Sequence, residues 1–362
     1  MTPGLTAALD AYRRRTRTPG IGVALVPAVG EPTVAVGGER VRGQGDPVEP
    51  ADRWHIGSCM KAMTAVVVAR FVDRGELAWS TPVAELFDAD AAHPGWRAVT
   101  LAEVLTHTAG VPANPTADEL RAALTDPTPL PVQRSRLARQ TLDRPPGPKG
   151  RFRYSNLGYT LVGAALERRT GAPFEEVLAA EVLRPLGMTT AGFGPPAADQ
   201  PWGHRARFAV RGLGVGRGPA VGPADRSLRH PPDNPPVLSP AGRLHLGLSD
   251  WAAFIRIFLA RPESLVSAGS LERIVTPPAG AEQGMGWWVP GGGSLRYRVA
   301  YAQQGSNARW VATAVVSPDR SAAALITCND GRTRILTSVL NFGIGLLPPA
   351  APHPQPDAAR TR

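Results

Sequence analysis

The sequence predicts a mixed α/β (α+β) fold: an antiparallel sheet built from both ends of the chain, flanked by helices, with an inserted, mostly helical domain. Three observations predict it. Short β-branched runs lie near the amino end, at residues 21–26 and 33–37. Similar runs recur in the last quarter of the chain, whereas helical patterns dominate the stretch between. Strands at both ends with helices between them are joined most simply into one sheet.

Composition supports a folded globular chain. The 362 residues include 43% hydrophobic and 19% charged residues, enough for a sizeable core. No apolar run approaches the roughly 18 residues that span a bilayer, and the start lacks the pattern of a secretory signal. We therefore expect a cytoplasmic protein without a membrane partner. The two cysteines, Cys59 and Cys328, are expected to be buried free thiols.

Positive charge is carried almost entirely by arginine. The formal net charge is +10, and of the 40 basic residues only Lys61 and Lys149 are lysines. The arginines are scattered, with one cluster at residues 13–17 and no interleaved aromatic residues, so we expect no nucleic-acid partner. Lysine can lose its proton in a suitable site and arginine cannot, so a surviving lysine is informative.

The elements follow from periodicity and from turn residues. Helices are predicted over residues 5–12, 59–73, 101–105, 157–169, 175–182, 249–259 and 333–343. Strands are predicted over residues 21–26, 33–37, 286–289, 297–302, 310–317 and 322–328. Ser249 is predicted to cap its helix. Residues 192–240, rich in Pro and Gly, are predicted to form a long surface loop that includes the alternating glycines of 212–218.

The first chemical motif is Ser58-x-x-Lys61, at the start of a predicted buried helix. Residues i and i+3 share a helix face, so the hydroxyl and the amine are expected to meet. A free serine is a weak nucleophile that needs an adjacent base. Burial and the positive end of the helix dipole both disfavour the ammonium and lower the lysine pKa. The backbone N–H of Ser58 is also placed to stabilise an oxyanion.

Two further motifs accompany it. Tyr154 and Asn156 lie in a loop that opens a helix, where a phenol and an amide are presented together. A phenol relays protons if a nearby cation lowers its pKa. Near a predicted strand, Gly305 allows a substrate to lie close to the backbone, and the N–H of Ser306 becomes a candidate second oxyanion donor.

The order of these motifs resembles the serine β-lactamase and penicillin-binding-protein superfamily, most closely its class C type and the related esterases. The resemblance covers roughly residues 5 to 345. Besides the motifs, it rests on the phrases at residues 56–65, 105–110, 154–159, 185–188, 201–204, 239–242 and 305–307. It implies one catalytic domain over residues 1–346, with a sheet part (1–45 and 284–346) and a helical part (46–283), before a Pro-rich, disordered tail (347–362).

The resemblance also implies roles for the motif residues. Ser58 would be acylated, and Lys61 with Tyr154 would handle its proton. Asn156 would hold either the substrate amide or the Lys61 side chain. Tyr154 would then activate the water or alcohol that releases the acyl group.

The strand motif completes the implied site. The N–H groups of Ser58 and Ser306 would bind the oxyanion, and Gln303, Gly305 and Asn307 would contact substrate. The family usually has Lys or His at the position of Gln303, and a glutamine carries no charge. This departure argues against efficient β-lactam hydrolysis and fits a substrate without a carboxylate, or a weakened enzyme.

Three functions remain open from the sequence. The first is a serine hydrolase that acts on an ester, amide or β-lactam-like bond. The second is an acyltransferase of small-molecule biosynthesis with the same site, and the third is a non-catalytic binding protein of the same fold. We expect a small-molecule substrate, no cofactor and no metal, because no metal-ligand spacing is present and the histidines, including His107 and His204, are predicted to be structural.

Overall fold

The computed structural model describes residues 3–87, 92–210, 213–259, 265–291 and 298–348. The strands, in chain order, are β1 (Gly20–Pro27), β2 (Thr33–Gly38), β3 (Arg53–His55), β4 (Gly192–Phe193), β5 (Gly203–Val210), β6 (Leu213–Val221), β7 (Leu244–Gly247), β8 (Tyr301–Ser306), β9 (Val311–Val316) and β10 (Ala322–Cys328). The helices are α1 (Pro3–Thr16), α2 (Met60–Asp73), α3 (Leu101–Leu105), α4 (Ala117–Ala123), α5 (Leu130–Leu142), α6 (Asn156–Thr170), α7 (Phe174–Leu178), α8 (Ser239–Gly242), α9 (Leu248–Arg256), α10 (Ala268–Val275) and α11 (Thr333–Leu346).

The main sheet joins the two ends of the chain, as the sequence predicts. Its five strands run in the order β2-β1-β10-β9-β8, and every neighbouring pair is antiparallel. The first strand, β1, therefore pairs with the last, β10, and the register sets Val23 opposite Ile326. The predicted fold class is confirmed.

Each face of this sheet is covered by helices. On one face α1 and α11 pack together, with the rings of Tyr12 and Phe342 stacked at 4.4 Å and the Tyr12 hydroxyl donating to Ser338 Oγ at 3.0 Å. The other face packs on a larger core that includes most of α2 and α6. Helix α2 is buried almost all round, because its apolar residues are not confined to one side.

Several predicted elements differ from the structure. Residues 203–210 and 213–221 form the hairpin β5-β6 within the predicted loop, so that part of the prediction is wrong. Glycine weakens a strand, so residues 213–218 have a low strand propensity. Pairing with β5 nevertheless stabilises them as a strand. Helix α9 begins at Leu248 after Gly247, and Ser249 caps nothing. Gly286 has φ +81°, which ends any extended run, so residues 286–289 form single bridges at Trp288 and no strand.

The remaining boundaries fall close to the predicted ones. Strand β8 begins at Tyr301, and the predicted strand start at residue 297 lies outside the described residues. Leu347 packs in the core beside α11, and residues 349–362 of the predicted tail lie outside the described residues. Cys59 and Cys328 are buried free thiols, as predicted. In the described part of the chain, no helix is long and apolar enough to cross a membrane.

Candidate active site

Ser58 lies in a 3₁₀ turn, Gly57–Cys59, that leads directly into α2. The turn depends on Gly57, whose φ of +52° lies in the left-handed region that favours glycine. A Cβ at this position would also lie 2.5 Å from the backbone nitrogen of Ser306. The turn therefore holds Ser58 against the end of β8.

Lys61 meets Ser58 as the helical spacing predicts. Its Nζ lies 3.1 Å from Ser58 Oγ, 2.8 Å from Asn156 Oδ1 and 2.6 Å from the carbonyl oxygen of Ala241. Only 1% of the residue is exposed. These three acceptors account for the three directions in which an ammonium donates, and they fix the amine beside the hydroxyl.

Burial also sets the protonation of this amine. It lowers the pKa of Lys61 to about 7, because the charged form loses its hydration. Among the described residues, no carboxylate contributes to the pKa of Lys61 in a way that would oppose this effect. The lowered pKa makes the neutral amine, which is able to accept a proton, accessible near neutral pH.

Tyr154 approaches Ser58 from the other side. Its hydroxyl donates to Ser58 Oγ at 2.7 Å, and Lys61 Nζ lies 4.8 Å from the centre of its ring. Although 39% of the residue is exposed, the hydroxyl end reaches into the cleft, and burial there raises the pKa of Tyr154 to about 12. The lowered pKa that a relay through a phenolate requires is therefore absent here, and at neutral pH Tyr154 is a proton donor.

Asn156 begins α6, with Ser155 as the helix cap that accepts from the N–H of Gly158. Its Oδ1 accepts from Lys61, and its Nδ2 donates to Asn114 Oδ1 at 2.8 Å. Of the two roles that the resemblance implies for Asn156, this geometry favours holding the Lys61 side chain. Asn114 is a supporting residue that sequence reasoning missed, because it belongs to no motif.

His107 supports the Tyr154 loop. Its φ of +62° turns the chain sharply, and its Nδ1 accepts from the N–H of Ser155 at 3.0 Å. Burial lowers the pKa of His107 to about 3, so the ring is neutral, and it packs 4.6 Å from the ring of Tyr154. His204 is likewise held, between Asn329 and Arg42, in the base of the β5-β6 hairpin.

The end of β8 lies directly over the Ser58 turn. A Cβ on Gly305 would lie 2.0 Å from Ile56 O and 2.7 Å from Ser58 N, so only glycine permits this approach. Among the described strands β8 lies at the edge of its sheet, and the N–H of Ala302 points away from β9 to Trp288 O. Because N–H directions alternate along a strand, Ser306 presents its N–H on that same side, beside the backbone of Ser58.

A buried carboxylate ties the two backbone segments together. Asp233 Oδ2 accepts from His55 Nε2 at 3.0 Å, and its Oδ1 accepts from Asn307 Nδ2 at 2.8 Å. His55 in turn accepts the N–H of Gly57 through Nδ1 at 3.1 Å. Burial raises the pKa of Asp233, but its partners, among them Arg243, outweigh that effect and lower it to about 2. The carboxylate is therefore charged and links the residues that flank Ser58 and Ser306.

Asn307 is one of the predicted substrate-binding residues, and its amide is engaged within the protein. Besides the bond to Asp233, its Oδ1 accepts the N–H groups of Arg309 and Trp310, each at 3.1 Å. Asp233 itself was missed by sequence reasoning. It lies in the Pro- and Gly-rich stretch, 178 residues from His55, and no local pattern marks it.

Ser58, Lys61 and Tyr154 open into a cleft of about 350 Å³. Gln303 lies in its wall, with 3% of the residue exposed. Around one cavity, the structure thus brings together the Ser58 hydroxyl, the buried Lys61 amine and the Tyr154 phenol. The closely packed backbone segments at Ser58 and Ser306 lie beside them. Among the described residues, no three His, Cys, Asp or Glu side chains cluster as a metal site.

An antiparallel sheet built from both chain ends, with a Ser-x-x-Lys helix facing a Tyr-x-Asn loop, defines the class of penicillin-binding-protein-like folds. The family model described as Beta-lactamase matches residues 5–335. The chain belongs to the beta-lactamase family.

Similarity to individual proteins is more distant. The putative penicillin-binding protein PbpX of Bacillus subtilis is 26% identical over 246 residues, which cover 67% of this chain and 55% of that protein. Esterase EstB of Burkholderia gladioli is 33% identical over 168 residues, which cover 42% of this chain and 41% of the esterase. The chain therefore spans about half the length of these curated relatives.

A solved structure extends the likeness of fold over nearly the whole chain. A D-amino acid amidase from Ochrobactrum anthropi SV3, complexed with L-phenylalanine, matches with a TM-score of 0.75 at 18% identity. The match covers 95% of this chain and 97% of the amidase.

Proposed function

We propose that the protein is a serine hydrolase that cleaves an ester or amide bond through an acyl-enzyme on Ser58. The observation that carries this proposal is the convergence of Lys61 Nζ and Tyr154 Oη on Ser58 Oγ, at 3.1 and 2.7 Å. An isolated serine needs such a base to become a nucleophile. Family membership and the esterase relative support the same chemistry.

In acylation, the neutral amine of Lys61 accepts the Ser58 proton as Oγ bonds to the substrate carbonyl carbon. The carbonyl oxygen gains negative charge, and the N–H groups of Ser58 and Ser306 stabilise it. The bond to the leaving group then breaks. Tyr154 supplies the proton that the leaving group needs, and Lys61, now an ammonium, restores the proton of the phenol.

In deacylation, a water molecule takes the place of the leaving group. The neutral amine of Lys61 accepts its proton as its oxygen bonds to the acyl carbon, and the ester bond to Ser58 breaks as the Lys61 ammonium gives up that proton. Ser58 Oγ recovers a proton and the acid product leaves. A water molecule is thus consumed, and the enzyme returns to its starting protonation.

Labelling of the nucleophile tests the proposal. A serine-reactive fluorophosphonate is expected to add one label per chain by intact mass, with the label on Ser58 in a peptide map. Ser58→Ala should abolish labelling, and the adjacent Cys59→Ala should retain it, because the Cys59 thiol is buried and burial raises its pKa. Labelling that persists in Ser58→Ala, or no labelling by fluorophosphonate or any p-nitrophenyl ester, would contradict the proposal.

A further inference from the structure

Gln303 stands out in the cleft because its amide is buried without a hydrogen-bond partner. Only 3% of the residue is exposed, yet neither its Oε1 nor its Nε2 has a hydrogen-bond partner among the described residues. The next residue, Gln304, behaves differently: its Nε2 donates to Leu336 O at 2.7 Å. Buried polar groups are normally paired, so an amide left open at both ends calls for a bound group that pairs with it.

The position of the Gln303 amide would place a group bound to it beside the substrate bond that Ser58 cleaves. Gln303 and Gly305 are two residues apart on β8, so their side-chain positions share one face of the strand. Gly305 abuts the nitrogen of Ser58. Two strand residues span about 7 Å. Because the Gln303 side chain and Ser58 line the same cleft, the Gln303 amide can bridge that distance towards a substituent next to a scissile carbonyl.

The charge of the cleft decides what kind of group fits. Among the described residues that line the cleft, the basic side chains are Lys61 and His107. With its lowered pKa, Lys61 is protonated in only a fraction of the molecules at neutral pH, and His107 is neutral. The chain has 38 arginines, the 40 basic residues less two lysines, yet no described arginine lines this cavity. A substrate carboxylate would therefore lose hydration here without gaining a fixed cation, whereas an uncharged group avoids that cost.

We propose that Gln303 binds an uncharged carboxamide of the substrate, accepting its N–H at Oε1 and donating from Nε2 to its carbonyl oxygen. The cleft is then selective for ester and amide donors whose group beside the scissile bond is a neutral amide and not a free carboxylate. This inference rests on the proposed acyl-enzyme chemistry at Ser58. It adds to that chemistry the class of substrate and the residue that selects it.

Two matched substrates test the selectivity. The S-esters of N-acetylglycine with thioglycolamide and with thioglycolate differ only in a carboxamide or a carboxylate on the leaving group. Hydrolysis of each is followed by a thiol reagent, and the ratio of the two kcat/KM values is taken on one protein sample. Because the ratio is internal, partial loss of folded protein in a variant cancels.

The wild-type protein is expected to favour the carboxamide by about 10-fold or more, a difference of about 1.4 kcal/mol. In Gln303→Met the ratio should fall towards one, since the side chain keeps its length but loses both hydrogen-bonding atoms. In Gln303→Lys the preference should invert towards the carboxylate. The control Gln304→Met should keep the wild-type ratio within about twofold, because its amide is committed to Leu336.

Equal use of the two substrates by the wild type, or an unchanged ratio in Gln303→Met, would overturn the inference and leave the acyl-enzyme proposal intact. So would acylation of Ser58 by p-nitrophenyl acetate without turnover of either thioester. Failure of p-nitrophenyl acetate to acylate Ser58, in contrast, would count against the proposed function itself, and the selectivity would fall with it.

Discussion

The two halves of the cleft are built in different ways. Around the Ser58 hydroxyl, side chains do the positioning: Lys61 and Tyr154 each contact Oγ directly. Around the backbone nitrogens of Ser58 and Ser306, the main chain itself is positioned, by two glycines and by a carboxylate, Asp233, that contacts neither nitrogen.

This difference predicts two kinds of mutational effect. A side chain of the hydroxyl half can be shortened with little change in the surrounding backbone, so activity should fall far more than stability. The backbone half is part of the core, so its substitutions should lower stability and activity together. The expected effects below run from the largest to the smallest.

Replacement of Lys61 should give the largest loss. Lys61→Ala removes the base, and Lys61→Arg keeps a positive charge but cannot lose its proton. We expect both variants to lower kcat/KM by about 10³-fold or more, as for removal of a general base. Turnover of a p-nitrophenyl ester measures this. Substantial activity in Lys61→Arg would show that a fixed cation suffices and that no base acts at this position.

Tyr154→Phe should give a smaller loss, about 10²-fold in kcat/KM, because it removes the proton donor but leaves the Ser58–Lys61 pair. The matched control is Tyr159→Phe. The hydroxyl of Tyr159 donates to Leu105 O at 2.8 Å, away from Ser58. The control should lower the free energy of unfolding by about 1 kcal/mol and leave kcat/KM nearly unchanged. Equal activity losses in the two variants would indicate that the loss in Tyr154→Phe does not reflect a proton-donor role of its hydroxyl at Ser58.

Asp233→Asn should change activity least and stability most. The amide cannot accept all the bonds that the carboxylate accepts, so the segments flanking Ser58 and Ser306 lose a shared anchor. We expect kcat/KM to fall about 10-fold, less than the loss of an oxyanion donor itself. The free energy of unfolding should fall by about 1.5–3 kcal/mol, as measured by urea unfolding. If Asp233→Asn lost this stability but kept the wild-type kcat/KM, Asp233 would not contribute to positioning the Ser58 and Ser306 N–H groups.

The free energy of unfolding at acidic pH gives a second test of Asp233. The pKa of Asp233 is lowered in the folded protein to about 2, below its ordinary value near 3.8. Its contribution to stability is therefore present above about pH 4 and is lost as the pH falls through about 2. The unfolding free energy of Asp233→Asn should decline less steeply than that of the wild type between pH 4 and 2. Parallel curves for the two proteins would contradict the lowered pKa.

The sequence predicts the hydroxyl half better than the backbone half. Ser58 and Lys61 are one helical turn apart, so local geometry alone brings them together. Asp233 joins His55 and Asn307 across 178 and 74 residues, and its own segment has no periodicity from which a partner can be inferred.

The absence of a local sequence signal also explains which elements of the fold were predicted wrongly. The five-stranded sheet follows from β-branched runs, which are visible along the chain. The β5-β6 hairpin does not, because β6 contains glycine at residues 214, 216 and 218 and is held by its pairing with β5. Asn114 was likewise hidden, since its contact with Asn156 depends on how two loops meet.

The central claim, that a neutral Lys61 amine activates Ser58, is tested most directly by the pH dependence of Ser58 labelling. Of the described side chains that hydrogen-bond to Oγ, Lys61 alone has a pKa near 7, because that of Tyr154 is raised to about 12. The second-order rate of fluorophosphonate labelling should therefore rise about tenfold per pH unit below pH 7 and level off above it. A labelling rate that stays constant from pH 5 to 9 would contradict the claim.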